Sequence, residues 1–397
     1  MAFPDHDGAA VTKLANRTRN LTSFKVVDFL EAAQSLEAQG RDIIHMEIGE
    51  PRFETAAPIL EAARVAMTEG RTGYTPSCGI PELRQAIADF YAEQYEVEID
   101  ARRVIVTTGS SAALGMVCEL LLNPGDGLLL ADPGYPCNAN FVRRLDAEPQ
   151  LVPVGPDENY QLSAASVEEY WRPNSVAAMV ASPSNPTGTV IDQQQLAELY
   201  RQVKAQQGTL IVDEIYHGLT YSDVPLSSAL SVADDLFVIN SFSKYFGMTG
   251  WRLGWMVVPE PVIDTLTVMA QNFYIASPSI AQYAALAAFQ PDTREILEQR
   301  RQAFQARRDF LLPALRELGF RIDRVPEGAF YLYADVSTFT DDCEAFCWQL
   351  LREHGIACTP GTDFGHNKAR QHIRFAYTES LPRLEVAVDR LRRALKG

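Results

Sequence analysis

Between residues 104 and 258 the sequence alternates between short apolar runs and longer amphipathic stretches. The apolar runs have the length of buried strands and are bounded by turn residues. They lie at residues 104–108, 128–131, 149–154, 176–182, 209–213, 236–240 and 253–258. Helices are predicted over SSAALGMVCELLL, after the first run, and over residues 192–206, where Gly208 is a stop signal. This alternation predicts a mostly parallel sheet covered by helices on both faces.

The pattern changes towards both ends of the chain. Residues 293–318 form a long, polar, Arg-rich stretch that predicts an exposed connecting helix. After it, the segments RIDRV, AFYLYADV and HIRFAYT have strand character and are mixed with helical stretches. At 397 residues the chain is too long for one compact core. We therefore predict an α/β protein with a large domain over residues 61–292 and a smaller α+β domain built from residues 1–60 and 293–397.

Charge narrows the classes of partner. The chain carries 35 Lys and Arg against 51 Asp and Glu, a net charge of -16. Such a surface repels nucleic-acid phosphates and anionic lipids, so we expect neither nucleic-acid nor membrane binding. No apolar run approaches the ~20 residues of a membrane span, and the first residues lack the pattern of a secretory signal. A cytoplasmic protein is expected.

The cysteines and histidines suggest no metal chemistry. The six cysteines are scattered along the chain, and no histidine or second cysteine pair completes a metal-binding set around Cys343 and Cys347. Reduced thiols and no metal site are the prediction. Structural positions are expected for the histidines that belong to no motif, which are His45, His217, His354, His366 and His372.

Three turns after predicted strands carry polar residues that could bind a ligand. Residues 108–112, TGSSA, begin a helix, and such a turn presents N–H groups and hydroxyls to an anion, although capping alone explains it as well. Residues 185–188, NPTG, fit a binding loop or a simple tight turn. Asp213, followed by Tyr216, lies where ligands of open parallel sheets bind, or it caps the next turn.

A fourth segment, SFSKYFGMTGWRLGW at residues 241–255, is more specific. Lys244 follows a predicted strand and stands between hydroxyl residues, with glycines and Arg252 after it. A desolvated lysine near other cations is partly neutral, and its amine is then a nucleophile towards an aldehyde. Arg252, which is always charged, suits a phosphate.

With these four segments in order, the chain resembles the class I/II aminotransferases, the fold-type-I pyridoxal-phosphate enzymes that include aspartate, alanine and aromatic aminotransferases. The resemblance extends from Gly49, in IGEP, to Arg374, in IRFAYTES. It implies the fold-type-I architecture, pyridoxal 5'-phosphate as the cofactor, and amino acids and 2-oxo acids as substrates.

The resemblance also implies roles for individual residues. Lys244 is expected to hold the cofactor as a Schiff base and to move the substrate's α-proton, and Asp213 to pair with the pyridine nitrogen. Asn185 and Tyr216 are expected to hydrogen-bond the phenolic oxygen of the cofactor, and Tyr135, in DPGYP, to stack on its ring. The catalytic set is therefore Lys244, Asp213 and Tyr216.

The remaining implied contacts concern the cofactor phosphate and the substrate. The phosphate is expected to lie against Ser110, Ser111, Ala112, Ser241, Ser243 and Arg252. Tyr74, in TGYTPSCGIPELR, matches a tyrosine that reaches the phosphate of a neighbouring subunit, which implies a homodimer with shared active sites. The substrate carboxylate is expected at Arg374, near Gly49 and Asn185.

The implied reaction is a ping-pong transfer between an L-amino acid and a 2-oxo acid. A lysine found in one aspartate-specific branch is replaced here by Ser111, which favours a neutral donor such as alanine, or broad specificity. The same scaffold supports cysteine-type β-elimination and aminocyclopropane carboxylate synthesis, so a lyase is the alternative. A transcription regulator with an aminotransferase-like module would need a DNA-binding domain, and no helix-turn-helix pattern precedes Tyr74.

Overall fold

The computed structural model describes residues 14–221 and 226–396. The helices are α1 (Lys25–Ala38), α2 (Ala57–Thr68), α3 (Pro81–Tyr95), α4 (Ser110–Leu121), α5 (Pro136–Arg143), α6 (Ala164–Tyr170), α7 (Gln193–Ala205), α8 (Ile263–Phe273), α9 (Ser279–Leu286), α10 (Pro291–Glu317), α11 (Cys343–His354) and α12 (Leu381–Ala394). The strands are β1 (Ile44–His45), β2 (Val104–Thr107), β3 (Gly127–Asp132), β4 (Glu148–Pro153), β5 (Ser175–Ala181), β6 (Thr209–Asp213), β7 (Phe237–Ser241), β8 (Gly254–Val257), β9 (Tyr331–Asp335), β10 (Ile356–Ala357), β11 (Thr359–Pro360) and β12 (His372–Ala376).

The central sheet has seven strands in the order β2-β8-β7-β6-β5-β3-β4. Strand β8 is antiparallel to both of its neighbours, and every other pair is parallel. Alternate residues of β2 enter different apolar clusters, with Val104 and Val106 on one face and Ile105 on the other. Burial of both faces explains why the strands read as continuous apolar runs, and the predicted mostly parallel sheet is confirmed.

Both chain ends contribute to a second, smaller α+β unit. Strand β1 pairs in parallel with β10, and β11-β12-β9 form an antiparallel sheet. Phe29 and Ile44 from the N-terminal part share one apolar cluster with Tyr331 and Phe375 from the C-terminal part. The predicted helix at residues 293–318 is present as α10. The exact domain boundaries, 1–60, 61–292 and 293–397, remain a prediction.

The prediction of a strand over RIDRV, residues 321–325, is wrong. Only Arg321 forms a bridge there, antiparallel to Asp335. The chain then runs to Pro326, which has no N–H group to donate to a strand ladder. The segment therefore touches the edge of β9 at one point without extending the sheet.

Sheet topology brings the candidate motifs to one edge. Strands β3, β5, β6 and β7 are mutually parallel, so their carboxyl ends lie together. Strand β2 also ends at that edge, because β8 between it and β7 is antiparallel to both. The turns after these strands carry the residues predicted to bind the cofactor, and the carboxyl edge of a parallel sheet is where ligands of such folds bind.

Candidate active site

Lys244 lies in the turn after β7 and points at the segment that follows β1. Its Nζ donates a hydrogen bond to the carbonyl oxygen of Gly49 at 2.6 Å. Burial, reinforced by the positive charges of Arg374 and Arg252, lowers the pKa of Lys244 to about 8, although Glu50 and Asp213 oppose the shift. A larger fraction of this amine is therefore neutral than in an exposed lysine.

Asp213 is the last residue of β6 and is 3% exposed. Its Oδ1 accepts a hydrogen bond from the backbone N–H of Ile215 at 3.1 Å. Burial raises the pKa of Asp213 to about 7, whereas the Ile215 N–H and the charge of Lys244 act in the opposite direction. A buried carboxylate with one neutral donor is best stabilised by a cationic partner, such as a protonated ring nitrogen.

Arg374, on β12, is 2% exposed, and its hydrogen-bond partners are neutral groups. Its Nη1 donates to the amide oxygen of Asn185 at 2.8 Å, and its Nη2 donates to the backbone carbonyl of Glu47. The guanidinium carbon lies 4.3 Å from the ring centroid of Tyr331 and 4.8 Å from that of Phe364. Its Nε is buried without a partner among the described residues. The guanidinium is thus held in place by neutral groups, and no acidic side chain of the part that the structure describes pairs with it directly.

Two tyrosines border the space around the amine of Lys244. The hydroxyl of Tyr216 lies 2.7 Å from the hydroxyl of Tyr331, and Nζ of Lys244 lies 5.7 Å from the ring centroid of Tyr216. Burial raises the pKa of Tyr216 well above its ordinary value, so this residue is a neutral hydrogen-bond donor.

A third tyrosine, Tyr135, follows β3 and is partly buried. It packs edge-on against Phe24, with the ring centroids 6.1 Å apart.

The start of α4 and the loop before β8 form a close-packed cradle. Gly109 has φ +75°, and a Cβ there would lie 2.6 Å from Nη2 of Arg252. A Cβ at Gly254 would lie 2.7 Å from the backbone nitrogen of Ser110. The guanidinium of Arg252 therefore lies directly against the N-terminus of a helix. A helix N-terminus beside an arginine is a site for a phosphate group.

The structure assembles most of the predicted residues but not all of them. Residues 110–112 begin α4, beside Arg252. Ser241 accepts a hydrogen bond from the N–H of Ser243 at 3.0 Å, so its hydroxyl also stabilises the turn that presents Lys244. Tyr74 stands apart, because 86% of its surface is exposed on this chain.

Residues that the motifs did not indicate complete the surroundings of Arg374. They are the carbonyl of Glu47, the hydroxyl of Thr359 at 3.3 Å, and the rings of Tyr331 and Phe364. In the sequence these positions look like ordinary strand and loop residues. Only the AFYLY run hinted at Tyr331, and it predicted a strand without a binding role.

A cavity of about 380 Å³ adjoins the site. Tyr135, Asn185 and Phe364 line it, so it lies beside the guanidinium of Arg374. Its lining includes the apolar residues Leu130, Leu151 and Met179 and the charged residues Lys25 and Arg143. The space beside the arginine is therefore bordered by both apolar and charged side chains.

A family model described as aminotransferase class I and II matches residues 41–391. The chain belongs to this family. It is 35% identical over 385 residues to the (5-formylfuran-3-yl)methyl phosphate transaminase of Methanocaldococcus jannaschii, covering 96% of this chain and 99% of the relative. It is 37% identical over 371 residues to the valine–pyruvate aminotransferase of Mycobacterium tuberculosis, with coverages of 93% and 95%. A crystal structure of an aminotransferase from Mycobacterium tuberculosis superposes with a TM-score of 0.94 at 36% identity, covering 97% of this chain and 100% of that one.

The protein is an aminotransferase, and the family and fold expected from its sequence are confirmed. Each of these relatives is named a transaminase or aminotransferase, so they give no support to the lyase alternative. The family generally depends on pyridoxal phosphate. Among the described residues no cluster of three or more His, Cys, Asp or Glu side chains could hold a metal ion. No helix in the described part of the chain is long and apolar enough to cross a membrane.

Proposed function

We propose that this aminotransferase binds pyridoxal 5'-phosphate at Lys244 and moves amino groups between an L-amino acid and a 2-oxo acid by a ping-pong mechanism. One observation carries the proposal. It is that an amine with a lowered pKa, a buried carboxylate and an arginine with neutral hydrogen-bond partners lie near one another at the sheet edge. These groups are Lys244, Asp213 and Arg374.

The residues present fit the cofactor. Arg252 against the start of α4 suits its phosphate, together with residues 110–112, Ser241 and Ser243. Asp213 suits a cationic ring nitrogen, because burial leaves its carboxylate in need of positive charge. Asn185 and Tyr216 would donate hydrogen bonds to the phenolic oxygen, and Tyr135 would stack on the ring. When bound, the cofactor supplies an aldehyde for the amine of Lys244 and a ring that accepts electrons from the substrate Cα.

Lys244 moves the proton in this proposal. The pKa of its Nζ is lowered to about 8, so part of the population carries a neutral amine near neutral pH. Once the amino group of the substrate has displaced Nζ from the cofactor, the neutral Nζ would accept the proton from the substrate Cα and then deliver it to the bound cofactor. The carbonyl of Gly49, 2.6 Å from Nζ, orients the amine for that exchange.

Arg374 binds the α-carboxylate of the substrate. Its partners are an amide, a hydroxyl, a carbonyl and two aromatic rings, so no acidic side chain in the described ranges pairs with it directly, although the carboxyl group of Asp363 lies close enough to interact with its charge. Asn185 holds Nη1 at 2.8 Å and would share the carboxylate. A planar guanidinium binds a carboxylate in a fixed orientation, which sets the direction of the Cα–H bond.

The homodimer with shared active sites remains part of the proposal. Tyr74 is 86% exposed, although a large aromatic residue gains from burial, and its expected role requires a second subunit. The working unit is then a dimer in which Tyr74 of each chain reaches the phosphate site of the other. The cytoplasmic location expected from the sequence also stays a prediction.

A neutral donor, or broad specificity, remains the proposed preference. Ser111 stands where one aspartate-specific branch of the family has a lysine, and Leu130, Leu151 and Met179 add apolar surface to the cavity beside Arg374. The relative named valine–pyruvate aminotransferase is consistent with this choice.

The test is a single-turnover panel with purified protein loaded with pyridoxal phosphate. Alanine, valine, methionine and aspartate are mixed with the enzyme, and loss of the bound cofactor's visible absorbance is followed. Amino transfer predicts one equivalent of 2-oxo acid per site and recovery of the band when a second 2-oxo acid is added. Pyruvate and ammonia formed from cysteine without an acceptor would instead establish a lyase, and a failure of borohydride to trap the cofactor at Lys244 would reject the proposed attachment.

A further inference from the structure

One short segment holds both charged groups of the proposed mechanism through its backbone. The carbonyl of Glu47 accepts a hydrogen bond from Nη2 of Arg374, and the carbonyl of Gly49 accepts one from Nζ of Lys244 at 2.6 Å. Thr359 strengthens the first contact, because its Oγ1 donates to the same Glu47 carbonyl at 2.9 Å. Any shift of residues 47–49 therefore moves the substrate-binding arginine and the reactive amine together.

The side chains of this segment form a buried pair. His45 is 4% exposed and Glu47 is fully buried, and Nδ1 of His45 lies 2.7 Å from Oε1 of Glu47. The other ring nitrogen of His45 lies 3.1 Å from Oε1 of Glu37, on α1 at the surface. The second oxygen of Glu47 has no partner among the described residues. Within the described chain, His45 is thus the one side chain that holds this carboxylate.

The backbone around the pair is also tied to its neighbours. The N–H of Met46 donates to Ala357 at 2.8 Å, and the carbonyl of Met46 accepts from Ala376 at 2.7 Å. A Cβ at Gly49 would overlap the hydroxyl of Tyr331, so the segment packs directly on a ring that contacts Arg374. These contacts leave little space for movement, but they do not explain why a charged pair is buried here.

We propose that His45 and Glu47 are positioning residues. Their pair holds the carbonyls of Glu47 and Gly49 in register and, through them, the guanidinium of Arg374 and the amine of Lys244. The inference rests on the proposed roles of these two groups. Burying a carboxylate is costly unless it is paired, and a buried pair adds little net stability, so we assign this pair a geometric role.

The charges around the imidazole agree with this role. Burial opposes a positive charge on His45, but the hydrogen bond to Glu47 and the charge of Glu47, together with the hydrogen bond to Glu37, outweigh it. The pKa of His45 is consequently raised, despite an opposing effect of Arg52. The raised pKa favours the protonated imidazole, which donates to both carboxylates.

The test uses a graded series at one position in the cofactor-loaded enzyme. Glu47→Gln keeps an oxygen that accepts the His45 hydrogen bond, Glu47→Asp shortens the side chain, and Glu47→Ala removes it. His45→Ala removes the other partner. His354→Ala is the matched control, because His354 lies 3.9 Å from a glutamate, Glu353, at the surface end of α11. For each variant we would measure donor affinity and limiting rate in single turnover, inhibition by propionate, and thermal unfolding.

A positioning role predicts that the donor and propionate affinities fall together. We expect a loss of at least about tenfold in Glu47→Ala and His45→Ala, about threefold in Glu47→Asp, and within about twofold in Glu47→Gln and the control. Propionate has no amino group and therefore reports on Arg374. If Glu47→Ala does not fold, the milder Asp and Gln variants decide the question by the order of their affinities.

Two results would overturn the inference. In one, Glu47→Ala and His45→Ala keep wild-type affinities and rates while only their unfolding temperatures fall. In the other, Glu47→Asp and Glu47→Gln are both indistinguishable from wild type. A wild-type enzyme that transfers amino groups normally in the same assays would show that the proposed function survives. A wild-type enzyme without amino transfer would instead reject the proposed function itself.

Discussion

The two halves of the site hold their cations in different ways. Arg252, on the proposed cofactor side, lies in the loop before β8, against the start of α4, and donates a hydrogen bond to the carbonyl of Thr249 in the same loop. Arg374, on the proposed substrate side, is held by groups far away in the sequence, such as Asn185 and the Glu47 carbonyl. In the proposed function, Arg252 binds an anion that stays bound, and local turns suffice to hold it. Arg374 would bind and release a carboxylate in each turnover, and neutral partners would keep it fixed and available for that purpose.

Arg374 differs equally from an ordinary surface arginine. Arg383 makes a bidentate pair with Asp42, with contacts of 2.8 and 3.1 Å, whereas Arg374 has no acidic side chain within 4.0 Å in the described chain. Exposed ion pairs contribute little stability, whereas an unpaired buried cation is costly. Retaining such a cation is what a carboxylate-binding site requires.

The largest effect is expected on the cofactor side. Lys244→Ala should lower kcat by about 10⁴-fold or more, because it removes both the attachment point and the proton carrier. Steady-state transamination measures this loss, and borohydride trapping should find no cofactor on the chain. The control is Lys204→Ala, which removes a surface lysine paired with Asp235. Activity within tenfold of wild type in Lys244→Ala would contradict the proposed chemistry.

The next effect should appear on the substrate side. Arg374→Gln is expected to lower kcat/KM for amino acids by about 10²–10³-fold, since it removes a buried charge that has no substitute. Cofactor binding, followed by absorbance, should change little. Arg383→Gln is the matched control and should stay within about twofold of wild type. Equal losses in the two variants would remove the distinction between the two arginines.

The pH dependence of cofactor loading tests the lowered pKa of Lys244. Its pKa is lowered to about 8, and only the neutral amine attacks an aldehyde. The loading rate should therefore rise about tenfold per pH unit below pH 8 and level off above it. Stopped-flow absorbance after mixing with pyridoxal phosphate measures the rate, and a constant rate from pH 6 to 9 would contradict a lowered pKa.

The smallest effect tests the shared site. Tyr74→Phe should weaken cofactor binding by about tenfold, the value of one hydrogen bond to a charged group. Mixing Tyr74→Ala with Lys244→Ala chains should restore activity, because a hybrid dimer contains one intact site. With random exchange, about a quarter of wild-type activity is expected, since half of the dimers are hybrids with one active site. No recovery after verified subunit exchange would place Tyr74 in its own chain's site.

Much of the architecture was predictable because it depends on local patterns. Continuous apolar runs indicated strands buried on both faces, and the resulting sheet carries β5, β6 and β7 near the predicted positions. The prediction of a strand over RIDRV failed because pairing depends on more than the composition of a segment. It also needs a partner edge, and Pro326, which follows the segment, has no N–H group to donate. Short local motifs therefore predicted element types better than they predicted pairing.

The candidate site shows the same difference between what local motifs predict and what packing decides. The sequence by itself determined which residues are proposed to carry the chemistry, including Lys244, Asp213 and Arg252, because these residues occur in contiguous motifs at strand ends. Only the tertiary structure decided what surrounds Arg374 and that His45 and Glu47 lie near it, since the contact between Glu47 and Arg374 joins residues 327 positions apart. Local motifs encode which groups are present, whereas packing between distant segments sets their distances, burial and charge.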